Sequence, residues 1–189
     1  MKKIQIAPAR PVYPSPAALI TSVDSAGRAN IITLAEVFNI SIANPVIVGI
    51  AIRPATFSHG LIVETGQFVV NQPTAAMAKQ VDQCGSTSGR DGVDKFARFG
   101  LTPLPAAVVK PPLIAECPVN VECELTGRQT VGDHDLFLGE VVAVHVDEDK
   151  LDADGHILTD RLDPLAYIEG DYWSLGQAFA KHGFSGPIE

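Results

Sequence analysis

Two long β patterns late in the chain, 114–127 and 136–147, most constrain how it can fold. In the second of them a valine stands at every other position from Val142 to Val146, as in a strand that buries one face. The predicted connection, 132–135, is polar and begins with a glycine, which suits a tight turn. The two segments are therefore predicted to pair as a long antiparallel hairpin.

Several shorter apolar segments predict further strands. They are bounded by turn-forming residues such as Gly27, which is free to adopt a positive φ. The segment 46–52 shows little polar alternation and is predicted to be buried on both faces. The predicted strands are 17–23, 28–34, 37–41, 46–52, 68–71 and 166–169.

Helical patterns are short and fall mostly between the strands. Ser58 is predicted to cap a helix over 59–65 that Gly66 ends, and Thr74 to cap a second one that stops near Gly85. Two more short helices are predicted at 91–99 and 177–182. Many short strands with helical insertions predict a mainly β fold of the α+β class, an antiparallel barrel with short helices.

Length and composition exclude several classes of protein. At 189 residues the chain is expected to form a single domain, 1–189, with its own core. The net charge of -8 and the lack of a Lys/Arg run argue against nucleic-acid binding. The longest apolar run, 46–52, is too short to span a membrane. Three cysteines without CxxC spacing predict reduced thiols in a cytoplasmic protein.

Groups suited to a phosphate follow the predicted strand 46–52. Arg53 supplies a positive charge, Thr56 and Ser58 supply hydroxyl donors, and a helix beginning nearby has free N–H groups. A capped helix with a surface arginine has the same pattern, so both interpretations stay open.

The segment 84–96 is a second candidate for binding an anion. Glycines free its backbone, Ser and Thr supply donors, and Arg90 and Lys95 supply positive charge. A solvated loop has the same composition, so this interpretation also stays open.

The common nucleotide, hydrolase and metal motifs are missing from the sequence. There is no GxGxxG, no GxxxxGK[ST] and no GxSxG, and the histidines lack the spacing of a helical metal site. The run 133–135 (Asp-His-Asp) is predicted to be a polar turn rather than a metal cluster. Cys84 has no identifiable base beside it and is predicted to be structural.

Taken together, the segments resemble the flavin reductase-like family of FMN-binding split barrels, the group that includes flavoredoxin. The order and spacing of the matching segments, which cover nearly the whole chain, carry the resemblance. The strongest are 88–91 (SGRD) with 94–96 (DKF), and 111–117. The others are 13–16, 21–24, 27–33, Ser41, 53–58 and 68–71.

The resemblance implies a homodimeric split β-barrel that binds FMN near the subunit interface. It implies reduction of the flavin by NADH or NADPH, or by a redox partner protein. By position, Asn30, Ile32 and Thr33 would line the isoalloxazine ring. The ribityl-phosphate end would meet Arg53, Thr56 and Ser58, and the flavin would also be reached by Lys95, His134 and Tyr167. No side chain is implied as an obligatory acid or base, because the cofactor supplies the chemistry.

One position departs from the family pattern. Many members carry a tryptophan six residues after the motif asparagine, whereas this chain has Glu36. A carboxylate cannot stack on the flavin as an indole would. A negative charge near the ring would also disfavour the anionic reduced flavin, so we expect a different potential, nicotinamide contact or substrate.

The sequence thus predicts an FMN-binding oxidoreductase that passes electrons from NAD(P)H to flavin and on to an unidentified acceptor. A separate monooxygenase or redox protein is one destination for the electrons. Tightly held FMN serving a small organic acceptor or a metal complex is an alternative. So is a flavoredoxin-type electron carrier with no direct NAD(P)H oxidation. A haem- or F420-binding split barrel is a further alternative, against which the SGRD and DKF segments argue.

Overall fold

The computed structural model describes residues 1–10 and 12–186. Within these residues, strands dominate and the three α-helices are short. The strands are β1 (Ser15–Pro16), β2 (Ala18–Val23), β3 (Ala29–Leu34), β4 (Val37–Ser41), β5 (Ile47–Ile52), β6 (Gln67–Gln72), β7 (Pro103–Leu104), β8 (Leu113–Ile114), β9 (Val119–Val131), β10 (His134–Val146), β11 (Leu165–Ile168) and β12 (Asp171–Ser174). The helices are α1 (Phe57–Thr65), α2 (Ala78–Ser86) and α3 (Lys95–Phe99).

The main sheet has seven strands in the order β3-β2-β6-β9-β10-β5-β4, and every neighbouring pair is antiparallel. A three-stranded sheet, β1-β11-β12, and the small pair β7-β8 accompany it. The predicted fold class, mainly antiparallel β with short helical insertions, is therefore confirmed.

The long hairpin at the centre of the sheet is the one that the sequence predicted. β9 and β10 pair from Val131 opposite His134 to Val119 opposite Val146. They are joined by a turn at Gly132-Asp133, where Gly132 has a φ of 63°. A residue without a side chain adopts this left-handed conformation at little cost.

Two apolar clusters sit on opposite sides of the central strands. Along β2, Leu19 enters one cluster, whereas its neighbours Ala18 and Ile20 enter the other, as the period of a strand requires. The first cluster also holds Ile31, Met77, Val81, Cys84 and Phe96. The second also holds Ile50, Ile62, Phe68, Cys123 and Phe137.

Several helix predictions needed correction. The segment 177–182 is not helical, and Phe179 within it is exposed, so no packed face stabilises a helix there. Thr56, not Ser58, caps α1: its hydroxyl accepts from His59 N at 3.4 Å. Ser58 lies instead in the first turn of the helix and is buried.

The second helix also begins differently from its prediction. A 3-10 turn, Ala75–Met77, precedes α2, and Thr74 makes no side-chain cap. Thr74 pairs instead with Pro164 in an isolated β-bridge.

The third helix starts at Lys95 rather than at the predicted position 91, because the Asp94 side chain caps it by accepting a hydrogen bond from Ala97 N. The predicted stops are confirmed, since Gly66 ends α1 and Gly100 ends α3 in the left-handed conformation.

A buried carboxylate ties the loop before β8 to the main sheet. Glu122 of β9 accepts hydrogen bonds from the backbone N–H groups of Ala107 (2.7 Å), Val108 (2.7 Å) and Val109 (2.9 Å), and lies 2.6 Å from His145 Nε2. Burial by itself raises the pKa of Glu122, but these hydrogen bonds together lower the pKa below its ordinary value. The loop is therefore anchored to the sheet through an ionised side chain.

The cysteines are buried and make no disulfide among the described residues. Burial raises the pKa of Cys84 to about 11 and that of Cys123 to about 12, so both stay protonated at neutral pH. No helix in the described ranges, 1–10 and 12–186, is both long enough and apolar enough to cross a bilayer.

Candidate functional site

A cleft of about 260 Å³ lies between β3, the start of α1 and the loop that follows α2. Five of the predicted site residues line it: Asn30, Ile32, Thr56, Ser58 and Lys95. The remaining walls come from Ala55, Phe57 and the Cys84–Gly89 segment. The Gly/Ser/Thr run there signalled this wall in the sequence, whereas nothing in the sequence singled out Phe57.

Asn30 joins β3 to α1 inside the cleft. Its amide Nδ2 donates to Ser58 Oγ at 2.7 Å, and both side chains are buried. Its Oδ1 is also buried and has no hydrogen-bond donor among the described residues. A buried acceptor left unpaired is costly, so this oxygen marks a place where a ligand donor fits.

Lys95 brings a positive charge to the same cleft. The side chain is only 3% exposed, and Nζ donates to Ile31 O (2.5 Å) and Cys84 O (2.7 Å). Burial lowers the pKa of Lys95 below its ordinary value, against a smaller opposing effect of Cys84. In the described part of the chain no carboxylate forms an ion pair with it. An anionic or acceptor-rich ligand edge would supply the missing partner.

The loop after α2 approaches the cleft so closely that glycine is required in it. A Cβ built on Gly89 would collide with Asn30 Oδ1 and would lie 2.8 Å from Phe57 Cδ1. Gly85, in the last turn of α2, is also close to a neighbour, because a Cβ built on it would lie 3.1 Å from Thr33 Cβ. Backbone groups of this loop can therefore come within reach of a bound ligand.

The first turn of α1 faces the cleft with a hydroxyl and its N–H groups. Thr56 Oγ1 donates to Arg53 O at 3.0 Å. The Arg53 side chain itself lies outside the cleft lining, is 65% exposed and pairs with Asp133 at 3.3 Å. Because the Arg53 side chain is exposed, it can exchange Asp133 for another anion.

Three further predicted residues line other depressions. Thr33 and Tyr167 border a depression of about 240 Å³, and Thr33 Oγ1 donates to Val81 O at 2.5 Å. His134 lines a separate cavity of about 690 Å³, and its Nδ1 lies 2.7 Å from Asp133 Oδ1.

The Asp-His-Asp run at 133–135 does not converge on one point. While Asp133 pairs with His134, Asp135 faces away from them and lies 2.8 Å from His59 Nε2. Thr130 Oγ1 also donates to Asp135, at 2.7 Å. The hydrogen bond with His59 is the largest of the effects that lower the pKa of Asp135. The predicted polar turn holds only for Asp133, because His134 and Asp135 belong to β10 and Asp135 is buried.

Glu36 has a definite partner in the N-terminal arm. Its Oε1 lies 2.8 Å from Arg10 Nη2, and the Arg10 guanidinium lies 5.2 Å above the centre of the Tyr167 ring. The Arg10 side chain is 45% exposed and the Glu36 side chain 33%. Ion pairs between exposed side chains contribute about 0–1 kcal/mol to stability. The charge of Glu36 is therefore largely offset by Arg10, which weakens the expectation that it opposes a reduced flavin.

The donors and acceptors of the cleft fit FMN. The pyrimidine edge of the flavin offers one N–H, which suits Asn30 Oδ1, and carbonyl oxygens, which suit Lys95. The phosphate suits the N–H groups and hydroxyls at the start of α1. A neighbouring cavity of about 560 Å³ shares Asn30, Phe57 and Gly89 with the cleft, so the two together give room beyond the ring.

Residues 10–176 match the model of the flavin reductase like domain family. The structure is similar to flavoredoxin of Desulfovibrio vulgaris (Miyazaki F), with a TM-score of 0.88 and 32% identity over 99% of this chain and 100% of that one. It is also similar to a protein from Shewanella frigidimarina described as a flavin reductase with a split barrel domain. The TM-score is 0.80, with 26% identity over 89% of this chain and 85% of that one.

A curated relative carries a more specific name. The NADH:riboflavin 5'-phosphate oxidoreductase of Streptomyces pristinaespiralis is 30% identical over 134 residues, which are 69% of this chain and 70% of that protein.

Proposed function

Because this chain belongs to the flavin reductase-like family, we propose that it is an FMN-dependent oxidoreductase that takes electrons from NADH or NADPH and passes them to a separate acceptor. The observation that carries the proposal concerns two buried groups in one cleft, neither of which has a partner of this kind among the described residues: Lys95 has no carboxylate, and Asn30 Oδ1 has no hydrogen-bond donor. The name of the Streptomyces relative supports NADH as the donor and FMN as the flavin.

In this proposal the ring of FMN occupies the cleft beside Asn30, Ile32 and Lys95. Thr56 and Ser58 at the start of α1, with Arg53 beside them, hold the phosphate. Thr33, His134 and Tyr167 line neighbouring depressions, so their role is to shape the approach to the ring.

When bound, FMN supplies the ability to accept a hydride from a nicotinamide and to release electrons singly or in pairs. The protein holds and tunes it. The Lys95 ammonium favours negative charge on the nearby pyrimidine edge, since the low dielectric of a buried site strengthens their attraction. No side chain is required as an acid or base.

A flavoredoxin-type carrier, with fixed FMN and no direct oxidation of NAD(P)H, is the second candidate. The similarity to a flavoredoxin over nearly the whole of both chains favours it. In that case electrons arrive from a redox protein.

We further propose a single domain acting as a homodimer in the cytoplasm. The edge strand β4 supports the dimer, because Phe38, Ile40 and the adjoining Ile42 are exposed apolar residues on one short stretch of chain. A second copy covering this stretch would remove it from water.

A monooxygenase or another redox protein would then take the electrons.

Absorbance spectroscopy without oxygen tests the proposal. The purified protein is titrated with FMN, and then NADH, and separately NADPH, is added. Bleaching of the flavin bands within seconds supports the reductase. Bound flavin that stays oxidised for minutes with both donors supports the carrier, and no binding of FMN overturns both.

A further inference from the structure

A hydrogen-bonded pair of mostly buried side chains, His59 and Asp135, lies behind the start of α1. His59 Nε2 lies 2.8 Å from Asp135 Oδ2, and the His59 side chain is 12% exposed and that of Asp135 7%. Neither residue belongs to the lining of the cleft, whereas Ser58, the residue before His59, does. The function proposed above uses neither side chain of the pair, so the pair needs an explanation of its own.

The Asp135 carboxylate determines which ring nitrogen of His59 donates. Its Oδ1 accepts from Thr130 Oγ1 at 2.7 Å, and Arg128 Nε lies 3.8 Å from its Oδ2. The hydrogen bonds from His59 and Thr130 lower the pKa of Asp135 below its ordinary value, so the carboxylate is ionised at neutral pH. An ionised carboxylate only accepts hydrogen bonds. His59 Nε2 therefore carries a hydrogen and donates it, whether or not the ring is charged.

The ring of His59 is held from a second side by Phe137. The two ring centres lie 5.1 Å apart and the ring planes meet at 78°, which is an edge-to-face arrangement. Asp135 and Phe137 are two positions apart on β10 and so present their side chains to the same face of the sheet. Strand β10 thus fixes both the position and the orientation of the ring.

Two consecutive residues of α1 are tied to two different strands. Ser58 accepts a hydrogen bond from Asn30 of β3, and His59 donates one to Asp135 of β10. In the sheet, β2, β6 and β9 lie between β3 and β10. The first turn of α1 is therefore held from two directions, and it cannot shift toward one strand without lengthening its bond to the other.

The position of a helix start decides how well it binds a phosphate. The free N–H groups there bind a phosphate through hydrogen bonds that weaken steeply as their distance and angle depart from the optimum. Thr56 Oγ1, which caps α1, accepts from the backbone N–H of His59 at 3.4 Å. His59 is thus connected to the cap of the helix through its backbone and to β10 through its ring.

We propose that His59 is a positioning residue for the phosphate of FMN. By donating to Asp135, it holds the first turn of α1 where the N–H groups and hydroxyls of that turn meet the phosphate. His59 acts through the helix and need not touch the flavin. The inference rests on the proposed function, because it concerns the phosphate of a bound FMN.

Flavin fluorescence quenching tests the role of His59 by measuring the affinities of the full chain for FMN and for riboflavin, which lacks the phosphate. His59→Phe keeps a ring beside Phe137 but cannot donate to Asp135. We expect this variant to lower the affinity for FMN by about tenfold and to leave that for riboflavin within about twofold. Equal losses for both flavins, or an unchanged affinity for FMN, would overturn the proposal.

His59→Gln is the conservative variant, because its side-chain amide can donate to Asp135 in place of the ring. We expect it to recover most of the affinity for FMN, and a loss as large as that of His59→Phe contradicts the proposal. If His59→Phe does not fold, His59→Asn takes its place. The amide of this variant is one methylene shorter, so we expect it to lose the preference for FMN that His59→Gln keeps.

The chain offers a matched control in a second histidine–carboxylate pair. His145 Nε2 lies 2.6 Å from Oε1 of the buried Glu122, and neither residue lines the cleft. His145→Phe is expected to leave both flavin affinities unchanged. A loss of FMN affinity as large as that of His59→Phe would show that the effect is not particular to the start of α1, which contradicts the proposal.

Two outcomes separate this inference from the function on which it rests. Natural protein that binds neither flavin would overturn the proposed function and the inference with it. Natural protein that binds FMN, with the same preference for FMN over riboflavin in every variant, would overturn the inference alone.

Discussion

Asn30 and Ser58 are joined by a buried hydrogen bond of 2.7 Å that connects strand β3 to the first turn of α1. The bond uses the amide N–H of Asn30 and leaves its oxygen inside the cleft without a donor from the part of the chain that the structure describes. One side chain therefore both fixes the position of the helix start and presents an acceptor to a ligand.

Asn30→Ala should weaken FMN binding by about 1 kcal/mol, or roughly fivefold, because the ring loses an acceptor. Quenching of FMN fluorescence on binding measures the affinity. Asn39→Ala, at an exposed position on β4, is the control and should leave it unchanged. An Asn30→Ala protein that melts earlier but binds FMN normally would show that the residue is only structural.

Lys95→Met should make the midpoint potential of bound FMN more negative. Removing a buried cation disfavours the extra negative charge of the reduced flavin, and a shift of about 30 mV corresponds to ~1.4 kcal/mol for two electrons. A redox titration against a reference dye measures it. The exposed Lys79→Met is the matched control, and the same potential in both variants would remove Lys95 from the ring environment.

Arg53→Ala should weaken FMN by about 1.5–3 kcal/mol, the range for a hydrogen bond to a charged group. Riboflavin lacks the phosphate and should bind both proteins equally. Asp133→Asn should strengthen FMN binding, since it frees Arg53 from its 3.3 Å ion pair. Equal losses for FMN and riboflavin in Arg53→Ala would place the phosphate elsewhere.

Gly89→Ala should reduce FMN affinity by about tenfold or more, because its Cβ would push the loop away from Asn30 and Phe57. Gly60→Ala in α1 meets no atom within 4 Å and should instead stabilise the helix by about 0.5–1 kcal/mol. Normal FMN affinity in Gly89→Ala would mean that the loop is not part of the flavin site.

Glu122→Gln should lower the free energy of unfolding by about 2–3 kcal/mol at pH 7, since an amide cannot accept all four hydrogen bonds. The folded-state pKa of Glu122 lies below its ordinary value of 4.5, so its contribution is present above that pH and is lost as the pH falls through the folded-state pKa. Urea unfolding at pH 7 and at lower pH should therefore show the variant and the natural protein converging. Glu124→Gln, at an exposed position on β9, is the control.

The strands and the C-terminal ends of the three helices could be predicted because they depend on neighbours in sequence. The valine alternation before Val146 and the glycine at 132 sufficed for the long hairpin. The cap of α1 was wrong because the Ser58 hydroxyl is used by Asn30, 28 positions away, and no local pattern reveals such a partner. The prediction of a helix at 177–182 was wrong because Phe179 within it stays exposed, so burial of an apolar face does not stabilise a helix there.

The candidate site was predictable where polar residues lie in one short run, as in the Gly/Ser/Thr segment before Lys95. The partner of Glu36 was not, because Arg10 reaches it from the N-terminal arm. Nor could the sequence show that Arg53 and His134 lie outside the lining of the cleft. Their positions depend on where the end of β5 and the start of β10 lie relative to α1. Each of these features rests on contacts between distant parts of the chain.

The central strands bury side chains on both sides, as the two clusters that share β2 illustrate. A slip of one residue, or a polar replacement on either face, would disturb one cluster or the other. Functional change in such a scaffold is therefore expected in the segments that connect the strands and helices, such as those that carry Glu36, Arg53 and Gly89. Sequence differences among proteins with this architecture should accordingly concentrate at the edges of the sheet, whereas the buried residues of the strands should vary little.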